Sequence, residues 1–597
     1  MNAGKLMRVQ TRANRRWFVL AVLIVALTVG AEAQITWTWA GDGTANNLTT
    51  PSNWLGTGTV SFVSSTELVF GDSGSYSPTP LLSSGACQIG SLTITKNGTG
   101  SIFAGNGNTS IASDGLNIAT AINFSPSGTS STTSSNPIQT TGPVYLNGLN
   151  VTIGGSASSP NYTLELGRAP ASAGGGASII SSNGNPIIKT GAFELEIGGN
   201  ASGLGTINLN GGSVYLDPYA IGFQSNVVTA AGTTFGIHPG PGATYTYNGG
   251  ISGNGGFTMN GSSATATAVL TGTSTYAGNT TVFAGRVQYG ADNTLPTATA
   301  ITVNSGATLD LNNYNAQVGS LAGSGTVDLS TASSTKTLTV GGSTLAAFQG
   351  VIKNSGSGAT LSLVKQGSGT LVLTGANTFA GGTTVNGGVL NVVNTTGSGL
   401  GTGAVTVNSG AQLQGSGLFT GALTLNAGAT VMPLPTLTAG PTTFGAGSHY
   451  IWIIADTAGT AGVNGWTQLS ISGTLALTAS LANPIVIQAE TYSGASLGLA
   501  ANFNSNTNYT WQMTTGASSL TGFSADEFTV DISAFSNTVN GVFSVSSAGD
   551  NLYLNYTAVP EPATYATLAG LAALGLAVRR RKSGAKPRQA GFDRATK

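Results

Sequence analysis

Gly369-Thr-Leu371-Val-Leu373-Thr-Gly375-Ala-Asn377-Thr-Phe379-Ala-Gly381-Gly382-Thr-Thr-Val385-Asn-Gly387-Gly-Val-Leu390 decides the fold of this chain. Its apolar residues recur at every second position in runs of three to five, as in Thr370-Leu-Val-Leu373, Thr383-Thr-Val385 and Gly388-Val-Leu-Asn-Val392. That period is the period of a strand with one buried face. Glycine and asparagine punctuate the runs, and both tolerate the positive φ that tight turns need. The pattern has a second copy: Leu270-Thr-Gly-Thr-Ser-Thr-Tyr276-Ala-Gly278-Asn-Thr-Thr-Val282 matches the stretch from Leu373 to Val385, and Ile301-Thr-Val-Asn-Ser-Gly306-Ala-Thr-Leu309 matches Val405 to Leu413. The offsets are 103 and 104 residues, so one unit is reused with a one-residue insertion. Between residues 34 and 558 helical periodicity is almost absent. Short strands stacked coil upon coil, about 4.8 Å apart, bury one side of each strand and let Asn and Thr pair along the stack. The expectation is an all-β parallel β-solenoid.

This stretch resembles the autotransporter-associated β-strand repeat, and the match runs nearly throughout it. The copy at 270–287 is degenerate, with Asn279 in place of a glycine and Ala284 in the turn. The resemblance implies a right-handed parallel β-helix of passenger type, in which Gly375, Asn377, Phe379, Gly381, Gly382 and Val385 supply turn and core positions. The chain then divides into a signal peptide (1–33), a tryptophan-bearing β leader or cap (34–90), the solenoid (91–435, clearest copies near 266–311 and 367–415), a C-terminal β module (436–558), a sorting segment (559–582) and a basic cytoplasmic tail (583–597). At roughly 20 to 25 residues per rung the solenoid has about 14 to 17 rungs. The longer β runs after residue 441 predict a compact antiparallel module.

The two ends carry export signals. Residues 1–16 are basic, 17–29 are apolar, and Ala31-Glu32-Ala33 is a small-x-small site, so cleavage by signal peptidase is expected after Ala33, leaving Gln34 first. The apolar run is too short to cross a bilayer that needs about 20 residues. At the other end Pro560-Glu561-Pro562 precedes a 16-residue apolar stretch, 563–578, and then Arg579-Arg580-Arg581-Lys582. Cations beside an apolar segment stay cytoplasmic. The prediction is a C-terminal single transmembrane helix, short enough to act as a transient stop-transfer element, beside the N-terminal signal helix. The three-part tail resembles the PEP-CTERM sorting signal. That resemblance implies recognition by an exosortase of a Gram-negative envelope, with cleavage near the Pro-Glu-Pro motif.

Charge and composition narrow the function. Only 7% of the 597 residues are charged and 89 are glycine, far from an ordinary helical enzyme whose surface needs roughly a quarter charged residues. Thirteen of the 20 basic residues sit at the two ends. The body, 34–558, keeps seven (Lys96, Arg168, Lys189, Arg286, Lys336, Lys353, Lys365) against 17 acidic residues, a balance of −10. No basic patch exists to neutralise phosphates, so nucleic acid is excluded as a partner. Cys87 is the single cysteine, which leaves no intramolecular disulfide and no cysteine-built metal site.

Candidate catalytic groups are few. Gly71-Asp72-Ser73 resembles the nucleophile block of one esterase family and of chymotrypsin-like proteases, but a nucleophilic serine needs a positioned base. The two histidines, His238 and His449, stand in neither order those families use. Glu194 and Glu196 are spaced to share a strand face, and Asp526-Glu527 is a second acidic pair; solvated strand carboxylates are the commoner meaning of both. Glycine-rich 397–403 lacks the lysine and following helix of a phosphate cradle. No catalytic residue, cofactor or metal is expected. The function that follows is an exported cell-surface or extracellular-matrix protein, structural or adhesive, meeting extracellular polysaccharide. The alternative is a polysaccharide-binding or lyase-like β-helix, which needs Asp, Lys and Arg clustered in one groove.

Overall fold

The computed structural model describes residues 179–559 except 219 and 221, the helix Pro562–Ser583 and, before residue 179, the strands between Ile35 and Leu166. The expected signal peptide with Ala31, Ala33 and Gln34, the Ser73 segment, Pro560, Glu561 and the tail beyond Ser583 lie outside the described residues. The fold is a β-solenoid of about 12 turns with very few helices. By contact density the chain forms two units, residues 1–318 and 319–597.

In the first unit, Val151–Gly154, Ile187–Lys189, Ile207–Leu209, Val227–Thr229 and Ile251–Gly253 form one parallel ladder. A second ladder runs from Thr163–Leu166 through Glu194–Ile197, Ser213–Leu216, Thr234–Ile237, Gly256–Asn260 and Thr280–Ala284 to Ala300–Val303. Strict alternation fixes the register, because a one-residue slip would turn each buried side chain outward. Leu195, Val214, Phe235 and Phe257 therefore fall in register on successive coils, each without solvent exposure. At roughly 1.5 to 3 kcal/mol per fully buried aliphatic or aromatic side chain, such columns are the main source of cohesion. Parallel pairing starts earlier than the predicted solenoid boundary: Ile35–Trp39 pairs parallel with Thr66–Phe70, which pairs with Cys87–Ile94. Early coils are long. Cys87 stands beside Leu116 and Leu164 beside Leu195, separations of 29 and 31 residues.

In the second unit coils tighten. Leu363, Thr383, Val405 and Leu423 are successive partners 20, 22 and 18 residues apart in a ladder that runs from Thr335–Val340 to Thr442–Gly445 and on to Gln468–Thr478. The opposing ladder passes from Ala346–Phe348 through Thr370–Leu373, Gly388–Val392, Ala411–Gly415 and Thr430–Pro433 to His449–Ile454, Ile485–Ser493 and Phe528–Asp531. Parallel stacking thus continues to residue 531, past the predicted boundary at 435. Apart from the short hairpin of Ile485–Ser493 with Ser496–Leu497, antiparallel pairing among the named strands of this unit is confined to Tyr509–Gln512, Gly541–Ala548 and Asn551–Ala558. Of the long runs read as antiparallel, His449–Ile454, Ile485–Ser493 and Phe528–Asp531 are rungs of the same stack and only Asn551–Ala558 pairs as expected, since alternation alone does not report strand direction.

The tail forms the helix Pro562–Ser583. The expected transmembrane helix is corrected on one point: no helix among the described residues is long and apolar enough to cross a membrane. The 16 apolar residues span about 24 Å at 1.5 Å each, against a hydrocarbon core of about 30 Å.

Candidate functional site: the repeat turns and the sorting tail

Asn377 joins three coils. Its Oδ1 accepts the Ile352 N–H at 2.8 Å, its Nδ2 donates to the Gly399 carbonyl at 2.6 Å, and its own N–H donates to the Ser398 carbonyl at 2.7 Å. The side chain is buried, where each of these groups would be costly unpaired. In the degenerate copy Ser274 takes the same place: its Oγ accepts the Ile251 N–H at 3.3 Å and its N–H reaches the Thr294 carbonyl at 3.2 Å. The serine has no second arm, so the forward side-chain bond is lost. Phe379 and Val385 are fully buried core residues. At Gly375 a Cβ would run into the Gly350 carbonyl of the coil below, and Gly382 has φ +84°, a left-handed conformation costly to any other residue. Asn279, in the degenerate copy, has no such positive φ, which is why the glycine can be replaced there.

Two lysines missed by the sequence reading do similar work. Lys189 is buried, with Nζ donating to the carbonyls of Thr190, Gly191, Phe193 and Gly211 at 3.0 to 3.1 Å and standing 3.7 Å over the Phe193 ring. Lys365 is buried likewise, bonding the carbonyls of Gln366, Gly367 and Gly387 at 2.8 to 3.1 Å. Burial pushes the Lys189 ammonium down to about 7, while four carbonyl dipoles favour its charged form. The shared Lys-x-Gly in Lys189-Thr-Gly191 and Lys365-Gln-Gly367 was the legible signal. In each, the last carbonyl belongs to the next coil, so the ammonium ties a turn to its successor. Arg286 pairs with buried Asp310 at 2.6 Å, and Lys353 stands 3.8 Å from buried Asp328. Four of the body's seven cations are thus spent on structure.

Glu194 and Glu196 lie on one strand beside Ser213 and Tyr215; Glu196 is buried, and both engage other groups. Burial and then these two carboxylates push the Tyr215 hydroxyl up to about 12. The Tyr215 ring packs against His238 at 4.3 Å, and burial pulls this imidazole down to about 4. His449 lies in the second unit, beside Thr430 and Val486. Asp526 and Glu527 sit in the one-turn helix Ala525–Glu527. Cys87 begins a strand. Among the described residues no three His, Cys, Asp or Glu side chains converge to hold a metal.

In the tail, Pro562 opens the helix, Arg579 is exposed, and Arg580, Arg581 and Lys582 belong to its last turn. Leu571, Leu574, Leu576 and Val578 are 55 to 65% exposed, apolar side chains left uncovered among the described residues. The passenger-associated-transport-repeat family matches residues 265–288 and 363–392, and the PEP-CTERM protein-sorting motif matches 558–582. The chain thus carries passenger-associated transport repeats and a PEP-CTERM sorting motif. The two repeat matches contain Ser274 and Tyr276 in one case and Lys365, Asn377 and Phe379 in the other, the residues that link and fill the coils. It is 30% identical over 227 residues to the adhesin BmaC autotransporter of Brucella suis biovar 1 (strain 1330), a match covering 36% of this chain and 6% of that protein. The chain therefore corresponds to a small fraction of that relative's length. The crystal structure of the Haemophilus influenzae Hap adhesin is similar over 82% of this chain and 64% of its own, at 11% identity and a TM-score of 0.22, too low to bear on fold or function. Repeat and sorting motif together mark the chain as an exported cell-surface protein.

Proposed function

We propose that this chain is a non-enzymatic adhesive or structural component of a Gram-negative cell surface, recognised through its PEP-CTERM tail by an exosortase and cleaved near Pro560-Glu561-Pro562. One observation carries the reading: a passenger-type solenoid and a three-part sorting tail occur in a single chain. The apolar helix 562–583 is a processing handle, held briefly at the inner membrane with Arg579, Arg580, Arg581 and Lys582 on the cytoplasmic side after signal peptidase has removed residues 1–33. The turns support a passive role for the body. Lys189, Lys365, Arg286 and Lys353 are four of the seven body cations on which a lyase-like groove could draw, and each is occupied by carbonyls or a carboxylate of the coil stack.

Fractionation of cells expressing the wild type and a deletion of Pro560, Glu561 and Pro562 tests the sorting step. The wild type is expected at the surface or in the medium with a shortened C-terminus, and the deletion in the inner membrane at full length. Equal retention of both in the inner membrane, each with an intact tail, refutes it.

A further inference from the structure

On the outward side of the second unit's first ladder, one position per coil reads Thr339, Val364, Thr384, Thr406, Thr424, Thr443 and Ala476, each in register with the next. Neighbouring strands put these side chains about 4.8 Å apart. Thr384, Thr406, Thr424 and Thr443 are half-exposed, and among the described residues their hydroxyls have no hydrogen-bond partner. Two residues further along three of the same strands stands a second column, Asn386, Asn408 and Asn426. Here Asn426 Nδ2 donates to Asn408 Oδ1 at 2.6 Å, and Asn408 Nδ2 to Asn386 Oδ1 at 2.7 Å. The amides are therefore aligned by one another. Flanking positions on the other side are Ala404, Ala422 and Pro441, and no charged residue occurs in 383–386, 404–408, 422–426 or 441–445.

We infer that this threonine and asparagine face binds a neutral polysaccharide lying along the stack. The inference deepens the adhesive reading above and rests on it. A nucleic acid or anionic glycan needs cations that the face lacks, and the body's −10 balance repels it. A protein partner needs aromatic or arginine anchors, and none is present. What the face offers is a repeating row of uncommitted hydroxyls beside a row of fixed amides, which matches a polymer presenting neutral hydroxyls at regular intervals. β-Branched threonine is stiff at χ1, so little order is lost on contact. Each hydroxyl contributes little alone, and affinity comes from engaging several coils at once. Four ranks span about 14 Å, so fragments shorter than that bind far more weakly than the polymer.

Electrophoresis of the exported, processed protein through native gels containing hydroxyethyl cellulose, dextran or polygalacturonate tests this. Retardation is expected in at least one neutral glycan and not in polygalacturonate. The quadruple variant Thr384→Val/Thr406→Val/Thr424→Val/Thr443→Val keeps the shape of the column without its hydroxyls, and its Kd is expected to rise at least tenfold. Its circular dichroism and melting temperature stay at wild-type values, and Thr370→Val/Thr430→Val on the opposing ladder retains binding. A wild type that runs free in both neutral glycans, a quadruple variant retarded like the wild type, or equal retardation by polygalacturonate overturns the inference. Protease shaving of whole cells separates the two readings. A chain that is displayed yet not retarded fails this inference alone, whereas one that never reaches the surface fails the proposed function.

Discussion

Phe379 and Tyr276 occupy the same place in the two repeat copies, and one oxygen atom separates their surroundings. The Tyr276 hydroxyl bonds Thr280, which in turn lies 3.2 Å from Thr299. With Phe379 in that place, the corresponding Thr383 hydroxyl is buried without a partner. Phe379→Tyr is therefore expected to stabilise its coil by about 1 kcal/mol, and Tyr276→Phe to destabilise the other by a similar amount. Amide-exchange protection across 379–385 and 276–282 reads both; no change in either variant refutes the pairing. His238 gives a pH prediction. Burial lowers its folded pKa to about 4, below the ordinary 6.5, and its Nε2 has no partner among the described residues, so the folded state resists the proton that the unfolded state accepts. Stability is then full above about pH 6.5, declines as pH falls towards 4 and levels off below, by on the order of 2 kcal/mol given partial exposure. Thermal melts of the wild type between pH 7 and 4 are expected to fall more steeply than those of His238→Phe, which keeps the ring against Tyr215. Parallel curves would refute the assignment.

At the scale of the element, most of these strands are only three to six residues long and hold because each coil is tied to the next at its turns. The alternation of Leu361, Leu363 and Lys365 was legible as a strand, yet lysine at the third inward position reads as a break in the buried face. The structure resolves it: three turn carbonyls surround the ammonium, and water is replaced without loss of partners. Lys365→Met keeps the length but leaves those carbonyls unpaired in the interior. It is expected to cost about 2 to 3 kcal/mol and to loosen the turn at 386–388 before the rest of the coil. Limited proteolysis mapped by mass spectrometry checks this, and cleavage no faster than in the wild type would count against the cage. Gly375 makes the same point from the other side, since its role is the close approach of Gly350, a residue 25 positions away that no local pattern identifies.

For the molecule as a whole, segregated charge sets the route. Thirteen of the 20 cations lie at the two ends, and those after residue 578 adjoin an apolar helix too short for a permanent span. Replacing Arg579, Arg580, Arg581 and Lys582 by Ser is expected to abolish retention at the processing site and release full-length chain to the periplasm. Immunoblotting of fractions with a tail-specific antibody checks it, and normal processing of this variant would refute the role of the cluster. By itself the sequence determined the all-β solenoid, the repeat unit and the sorting tail, because strand period, turn glycines and a hydropathy profile are local quantities that survive without coordinates. Tertiary structure alone decided where coils begin and end, that parallel pairing continues to residue 531, that Lys189 and Lys365 are interior, and that four threonines from four separate coils share one outward column. All of these depend on contacts between residues about 20 positions apart, and the exact length of each coil, not its composition, sets which residues meet.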